Sequence, residues 1–253
     1  MKNKLFLKFF ALIVFCFLLM KTNKLYSQEY DYNDYEIKNP RYGFGIGFNP
    51  FYILHDFTDI NQKLSISGYN KLSKDNIFTY GGSFYIYTGF VQNLRIGGFW
   101  SQADKNSSKK ENNTIKDFDY NFSFWAVNVD YALPLAKRLS LVFGSFLGKG
   151  SQNYDLSEKN NKDIDWDEFW NSSSKINDNK TNLNSSFFIF SPYILLEYAL
   201  FDFLMLRIGG GYIGSAKTDL NYENFYQVKN VPSSLRINDF YFQFGILTGL
   251  FME

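Results

Sequence analysis

Eight segments of this chain alternate bulky apolar residues with small or polar ones, and long polar stretches take turns with very short connections between them. The first segment is the clearest. Tyr42, Phe44, Ile46 and Phe48 fall on one face and Gly43, Gly45, Gly47 and Asn49 on the other, which is the period of a β-strand. A second runs from Ile77 to Phe90, with Phe78, Tyr80, Phe84 and Ile86 sharing a side. A third sets Leu94, Ile96, Gly98 and Trp100 against Arg95, Gly97 and Ser101. The fifth, after Arg138, opposes Leu139, Leu141, Phe143 and Leu147 to Ser140, Gly144 and Gly148. The sixth, Ser185 to Tyr198, carries Phe188, Phe190, Ile194 and Leu196 on its apolar side. The seventh opposes Leu204, Leu206 and Ile208 to Arg207 and Gly209, and the eighth opposes Phe240, Phe242, Phe244 and Ile246 to Tyr241, Gln243 and Gly245.

The fourth segment, Phe118 to Tyr131, admits two arrangements. Phe118, Tyr120, Phe122 and Phe124 point one way while Trp125, Val127, Val129 and Tyr131 point the other. Either a bulge near Phe124 and Trp125 restores one continuous apolar face, or large aromatics occupy the inside of the sheet. Pro192, inside the sixth segment, predicts a locally distorted ladder because it has no N–H to donate.

Short turns fall at Val91 to Asn93, Pro134 to Arg138 and Ala199 to Phe203, and long polar stretches at Ile53 to Asn76, Asp104 to Asp117, Ser151 to Asn184 and Ser215 to Ser234. Strands of about ten residues, even in number and joined this way, predict an all-β fold: an eight-stranded antiparallel up-and-down transmembrane β-barrel with short periplasmic turns and long extracellular loops. Glycine opposite the apolar face fits a narrow lumen. A soluble barrel with an apolar calyx would need the reverse, with glycine and charge outside.

The N-terminus sets the compartment. Lys2, Lys4 and Lys8 precede an apolar run from Phe9 to Met20, and Ser27 supplies a small residue before Gln28, so residues 1–27 read as a cleavable export signal. Residues 28–40 read as a flexible periplasmic leader and 41–253 as the barrel, placed in the bacterial outer membrane. The single cysteine, Cys16, lies in the signal, leaving the exported chain without disulfides. Five of the 26 Lys and Arg residues also precede the cut and no Asp or Glu does, which leaves an acidic excess of about four against 25 carboxylates. That balance argues against nucleic acid as a partner. Aromatic residues make up 21% of the chain and mean hydropathy is −0.25, so a membrane protein of this composition has to span with strands.

These segments, the glycine-alternating first strand and the aromatic last strand resemble the small outer-membrane β-barrel proteins of bacteria, the OmpA/OmpX-like and related outer membrane protein beta-barrel domain families. The resemblance covers residues 41 to 251 and is one of pattern, without a diagnostic motif. It departs at the end, where Met252 and Glu253 follow Phe251 in place of a terminal aromatic.

Four charges fall on the lumen face near the periplasmic ends: Arg95, Asp130, Glu197 and Arg207. Arg95 with Asp130 and Glu197 with Arg207 are the expected neighbours, because an unpaired buried charge is costly. They either plug the lumen and fix register or gate a narrow pore. His55, the only histidine, reads as a loop residue; as the general base of an outer-leaflet lipid-modifying enzyme it would need a serine partner that spacing does not supply. Asp163, Asp165 and Asp167 alternate as in a calcium loop, but Glu168 stands where that loop needs glycine and Lys175 where it needs glutamate, so the run reads as a solvated acidic stretch. Among them Trp166, Phe169 and Trp170 are candidate contact residues for an extracellular ligand. The sequence therefore predicts a monomeric, non-enzymatic barrel without cofactor or metal, whose surface loops serve contact or adhesion. Its expected partners are outer-membrane lipids, the barrel-assembly machinery during insertion and an extracellular ligand.

Overall fold

The computed structural model describes residues 43–72, 76–160, 179–222, 226–232 and 235–251. The strands are β1 (Gly43–Phe48), β2 (Phe51–Ile53), β3 (Ile77–Tyr87), β4 (Leu94–Glu111), β5 (Thr114–Ala136), β6 (Leu139–Asn160), β7 (Asn179–Phe201), β8 (Leu204–Tyr222), β9 (Tyr226–Gln227) and β10 (Asn238–Phe251), with one helix, α1 (Thr58–Ile66), between β2 and β3. β1 and β2 behave as a single strand. Phe48 faces Ile246 and Gly82, and Phe51 faces Gln243 and Thr79, so register carries across the break at Asn49 and Pro50. Pro50 cannot donate to the ladder, while the Asn49 amide still reaches the Gly81 carbonyl at 3.0 Å. Counting β1 and β2 once, antiparallel pairing runs β3 through β8 to β10 and back to β1, a closed ring of eight strands. Closure removes every sheet edge from the apolar zone.

Faces sort as the alternation predicts. Phe48, Phe84, Trp125, Ile194, Ile208 and Phe242 are all exposed, whereas Arg95, Tyr85, Phe51, Leu195 and Tyr241 are buried. An apolar exterior on a sealed ring is the lipid-facing surface of a membrane-spanning barrel of the outer-membrane type. The apolar rows do not turn inward, which excludes the calyx arrangement.

The two alternatives for the fourth segment are decided, and the long polar stretches prove partly strand: β6 runs on to Asn160, β7 starts at Asn179 and β8 runs on to Tyr222. β5 pairs with β4 without a register shift from Leu94↔Tyr131 to Glu111↔Thr114, so there is no bulge at Phe124 and Trp125. Phe118, Tyr120, Phe122 and Phe124 are buried inside the ring. The polar stretch Asp104 to Asp117 is likewise no loop: it continues β4 and β5 to a tight turn at Asn112 and Asn113, where Asn112 takes a φ of 51° that asparagine tolerates. β5 and β7 reach 23 residues each, about twice what a tilted span requires. At Pro192 the β7–β8 pairing is interrupted between Phe190↔Gly214 and Tyr193↔Gly211, with register kept on both sides.

Candidate functional site

The lumen is built in three levels. At the end of the short turns, Arg95 on β4 stands opposite Asp130 on β5, and Glu197 on β7 opposite Arg207 on β8. The geometry joins the two pairs into one network. Arg95 donates through Nε to Asp130 and reaches across the lumen to Glu197, Nη1 to Oε2 at 2.6 Å and Nη2 to Oε1 at 3.2 Å. Glu197 Oε1 also receives Arg207 Nε at 2.8 Å. The other Asp130 oxygen accepts from Tyr193 Oη at 2.8 Å and Asn128 Nδ2 at 2.9 Å. The Arg95 guanidinium lies 4.1 Å from the centre of the Tyr85 ring. No member of the cluster exceeds 6% exposure. Two cations and two anions balance, and bidentate, charge-assisted bonds meet a desolvation cost that an isolated pair could not. The chemistry available here is locking: the cluster ties β4, β5, β7 and β8 together across the axis.

Above it sits an aromatic layer. Phe51 stacks on Tyr241 at 4.4 Å and on Phe99 at 4.5 Å, Phe99 meets Phe146 at 4.9 Å, and Phe146 meets Tyr193 at 4.5 Å. Rings from β2, β4, β6, β7 and β10 thus fill the cross-section, which an eight-stranded ring leaves only side-chain wide.

The third level closes the mouth. After β2 the chain folds inward: His55 is 2% exposed, its Nδ1 2.7 Å from Asp239 Oδ2 on β10. The Asp56 carboxylate accepts from the backbone and side chain of Thr58, which starts α1 and holds that carboxyl below the usual range. Phe57 is wholly buried, edge-on to Tyr120 of β5 at 5.1 Å, with Lys105 Nζ 4.9 Å from its ring. Leu64 and Leu72 join the same core cluster as the lumen aromatics, and Asn70 bonds Ser107 and Ser108 on β4. His55 is thus a buried latch and no free loop residue; its Nε2 has no hydrogen-bond partner among the described residues. Phe57→Ala removes a ring from a packed site, a loss of about 3–5 kcal/mol. That loss falls on the capping segment and leaves the ring of strands intact. Limited trypsin treatment is expected to cut the variant after Lys63 and Lys71 while its folded gel mobility persists.

Trp166, Phe169, Trp170 and the acidic run at Asp163, Asp165 and Asp167 lie outside the described residues. Among the described residues no three metal-ligating side chains converge. The sequence alone assigned no role to Tyr85, Asn128, Tyr193 and Asp239, although alternation put Asp239 on the inner face of the last strand. Asn128 and Tyr193 share a face with Asp130 and Glu197 by simple parity, so alternation could have found them; nothing local joins His55 to Asp239, 184 residues away.

No family model and no curated protein matches the chain. Solved structures with a similar course include Ail, the attachment invasion locus protein of Yersinia pestis, in complex with the heparin analogue sucrose octasulfate (13% identity, 83% of this chain and 97% of that chain, TM-score 0.42). Neisserial surface protein A is 10% identical over 85% of this chain and 99% of that one, with a TM-score of 0.42. The outer membrane protein OprG from Pseudomonas aeruginosa is 13% identical over 83% and 97%, with a TM-score of 0.43.

Proposed function

We propose that this chain is a non-enzymatic integral protein of the bacterial outer membrane whose sealed barrel is a scaffold for surface contact or adhesion. The observation that supports this reading is the filled lumen: a neutral charge lock, a ring-stacked layer and an inward-folded cap lie in series along the axis. A barrel closed this way acts through what it holds outside. The strands continue as a rigid sheet beyond the apolar zone, a firm base for the polar segment between β6 and β7. In that segment Trp166, Phe169 and Trp170 are the candidate contact residues. Lipids around the apolar belt, the assembly machinery during insertion and an extracellular ligand are its partners, and it works as a monomer without cofactor.

Two measurements test the reading. Cells displaying the full chain are expected to adhere to host-cell or abiotic surfaces better than cells lacking it. Replacing Trp166, Phe169 and Trp170 with serine is expected to remove most of that difference. Adherence unchanged by the protein itself sinks the proposal. In planar bilayers the refolded chain is expected to give no stepwise conductance, whereas steps altered by Arg95→Ala would favour a gated pore.

A further inference from the structure

Above the apolar zone the sheet ends in two edges, and the chain treats them differently. The β8 edge is covered: β9 pairs with it at Asn221↔Gln227 and Tyr222↔Tyr226, and the Val228 amide reaches the Leu220 carbonyl at 2.8 Å. The β4 edge is bare. Its ladder with β3 stops at Tyr80↔Gln102, while on the other side β4 pairs with β5 as far as Glu111↔Thr114. Even-numbered residues of β4 turn their main-chain groups away from β5. The Leu94 carbonyl accepts from the Thr88 amide on the β3 side, and the Ser108 carbonyl accepts from Asn70 Nδ2 at 2.6 Å. That carboxamide stands where the N–H of an added strand would stand. A cleft of about 600 Å³ flanks residues 106–109, with Ser65 and Lys71 on its far side.

We infer that this edge pairs with the same edge of a second copy rooted in a facing outer membrane, β4 against β4, so that the chain joins like cells while remaining monomeric within its own membrane. The inference rests on the contact reading above and names the partner. A bare strand edge is a template for another strand, and two chains rising from facing membranes meet antiparallel. A two-fold pairing sets residues of like parity opposite one another, and charge then selects the register. Centred on Ser108, Lys105 opposes Glu111 twice, Ser107 opposes Lys109 and Asn106 opposes Lys110, with no like charges face to face. Centred on Ser107, Asp104 meets Lys110 but Lys105 meets Lys109. Centred on Asn106 there is no ion pair, and centred on Lys105 or Lys109 a lysine meets itself. Lysines on an edge guard against random pairing; here they exclude several registers and leave one that is self-complementary. Trp100, the last apolar residue on the outward face of β4, lies eight residues before Ser108. At about 3.3 Å per residue and a tilt near 45°, the joined strands hold the two apolar zones about 40 Å apart.

The test adds the exported chain, residues 28–253, which hold no cysteine, to preformed phospholipid vesicles, so that the tall polar strands stay outside. Vesicles carrying the parent chain are expected to cluster, read by light scattering, with facing membranes about 40 Å apart in electron micrographs. Lys105→Glu sets glutamate against glutamate and Glu111→Lys sets lysine against lysine, so each alone is expected to slow clustering about ten-fold or more. Mixing the two kinds of vesicle restores opposite charges at both positions and is expected to restore clustering. Ser108→Cys, on the two-fold axis, is expected to give a disulfide-linked dimer on oxidation. Heat-modifiable gel mobility verifies that each variant is folded. Parent vesicles that stay dispersed overturn the proposal, as do charge variants that cluster like the parent or a mixture as silent as its components. Adherence to host-cell or abiotic surfaces is scored on single cells, so the two readings fail separately.

Discussion

Glu197→Ala is expected to destabilise the barrel by about 3–5 kcal/mol, the cost of leaving buried charge without its counterion. Among the described residues Glu197 is the one carboxylate that meets both guanidiniums, Arg95 from across the lumen and Arg207 from the adjacent strand. Its removal leaves two cations against Asp130 alone in a site from which water is excluded. Denaturant unfolding of the refolded chain, followed by tryptophan fluorescence, measures the loss. The paired replacement Glu197→Leu with Arg207→Leu restores neutrality and keeps Arg95 on Asp130. It is expected to recover most of the stability, since apolar groups of similar volume often substitute for a buried ion pair at little cost. With Glu197→Leu and Arg207→Leu measured singly, the difference between the double variant and their sum is the coupling energy of the Glu197–Arg207 pair. A single variant no worse than the double would mean that the four charges do not act as one unit.

That cluster also marks how far sequence reaches. Alternation put Arg95, Asp130, Glu197 and Arg207 on the inner face, and strand adjacency named the two neighbouring pairs, because pairing around a ring is a local rule. The bond from Arg95 to Glu197 joins strands that are not neighbours, and only closure brings them together. The same limit hid His55 against Asp239. The capping helix was legible in part: Phe57, Ile60 and Leu64 follow helical spacing inside a stretch otherwise polar enough to read as loop. The upper strands escaped for a different reason. Strands in lipid show themselves by an apolar outer face, and once β4 and β5 leave the membrane that face turns to Asn, Ser and Asp. The ladder continues while the hydropathy signal stops. Phe118 to Phe124 then seemed to need a bulge only if every large aromatic was assumed to face lipid, yet a capped lumen needs rings inside as well.

Gly47→Ala is expected to cost about 3 kcal/mol or more and to cut the yield of heat-modifiable, folded protein, because a Cβ at Gly47 has nowhere to go. It would lie 2.0 Å from the Ile246 carbonyl oxygen and 2.6 Å from the Leu247 Cα, both main chain of β10. A side chain can rotate away from such a clash; the backbone of a paired strand cannot. The position is also the worst one for a shift. β1 is six residues long and, continued by β2, is the strand through which β10 meets β3, so displacing it opens the longer part of the seam that closes the ring. Gly214→Ala is the matched control. There the nearest atoms to a new Cβ are the Phe190 oxygen at 3.4 Å and a Tyr212 ring carbon at 3.7 Å, ordinary contacts. Both substitutions restrict the unfolded chain equally and add the same methyl to a strand, so the contrast isolates the close approach. Gly214→Ala is expected to stay within about 0.5 kcal/mol of the parent. Equal urea midpoints for the two variants would show that the β1–β10 seam tolerates a methyl, and that the glycines of the first strand serve something other than closure.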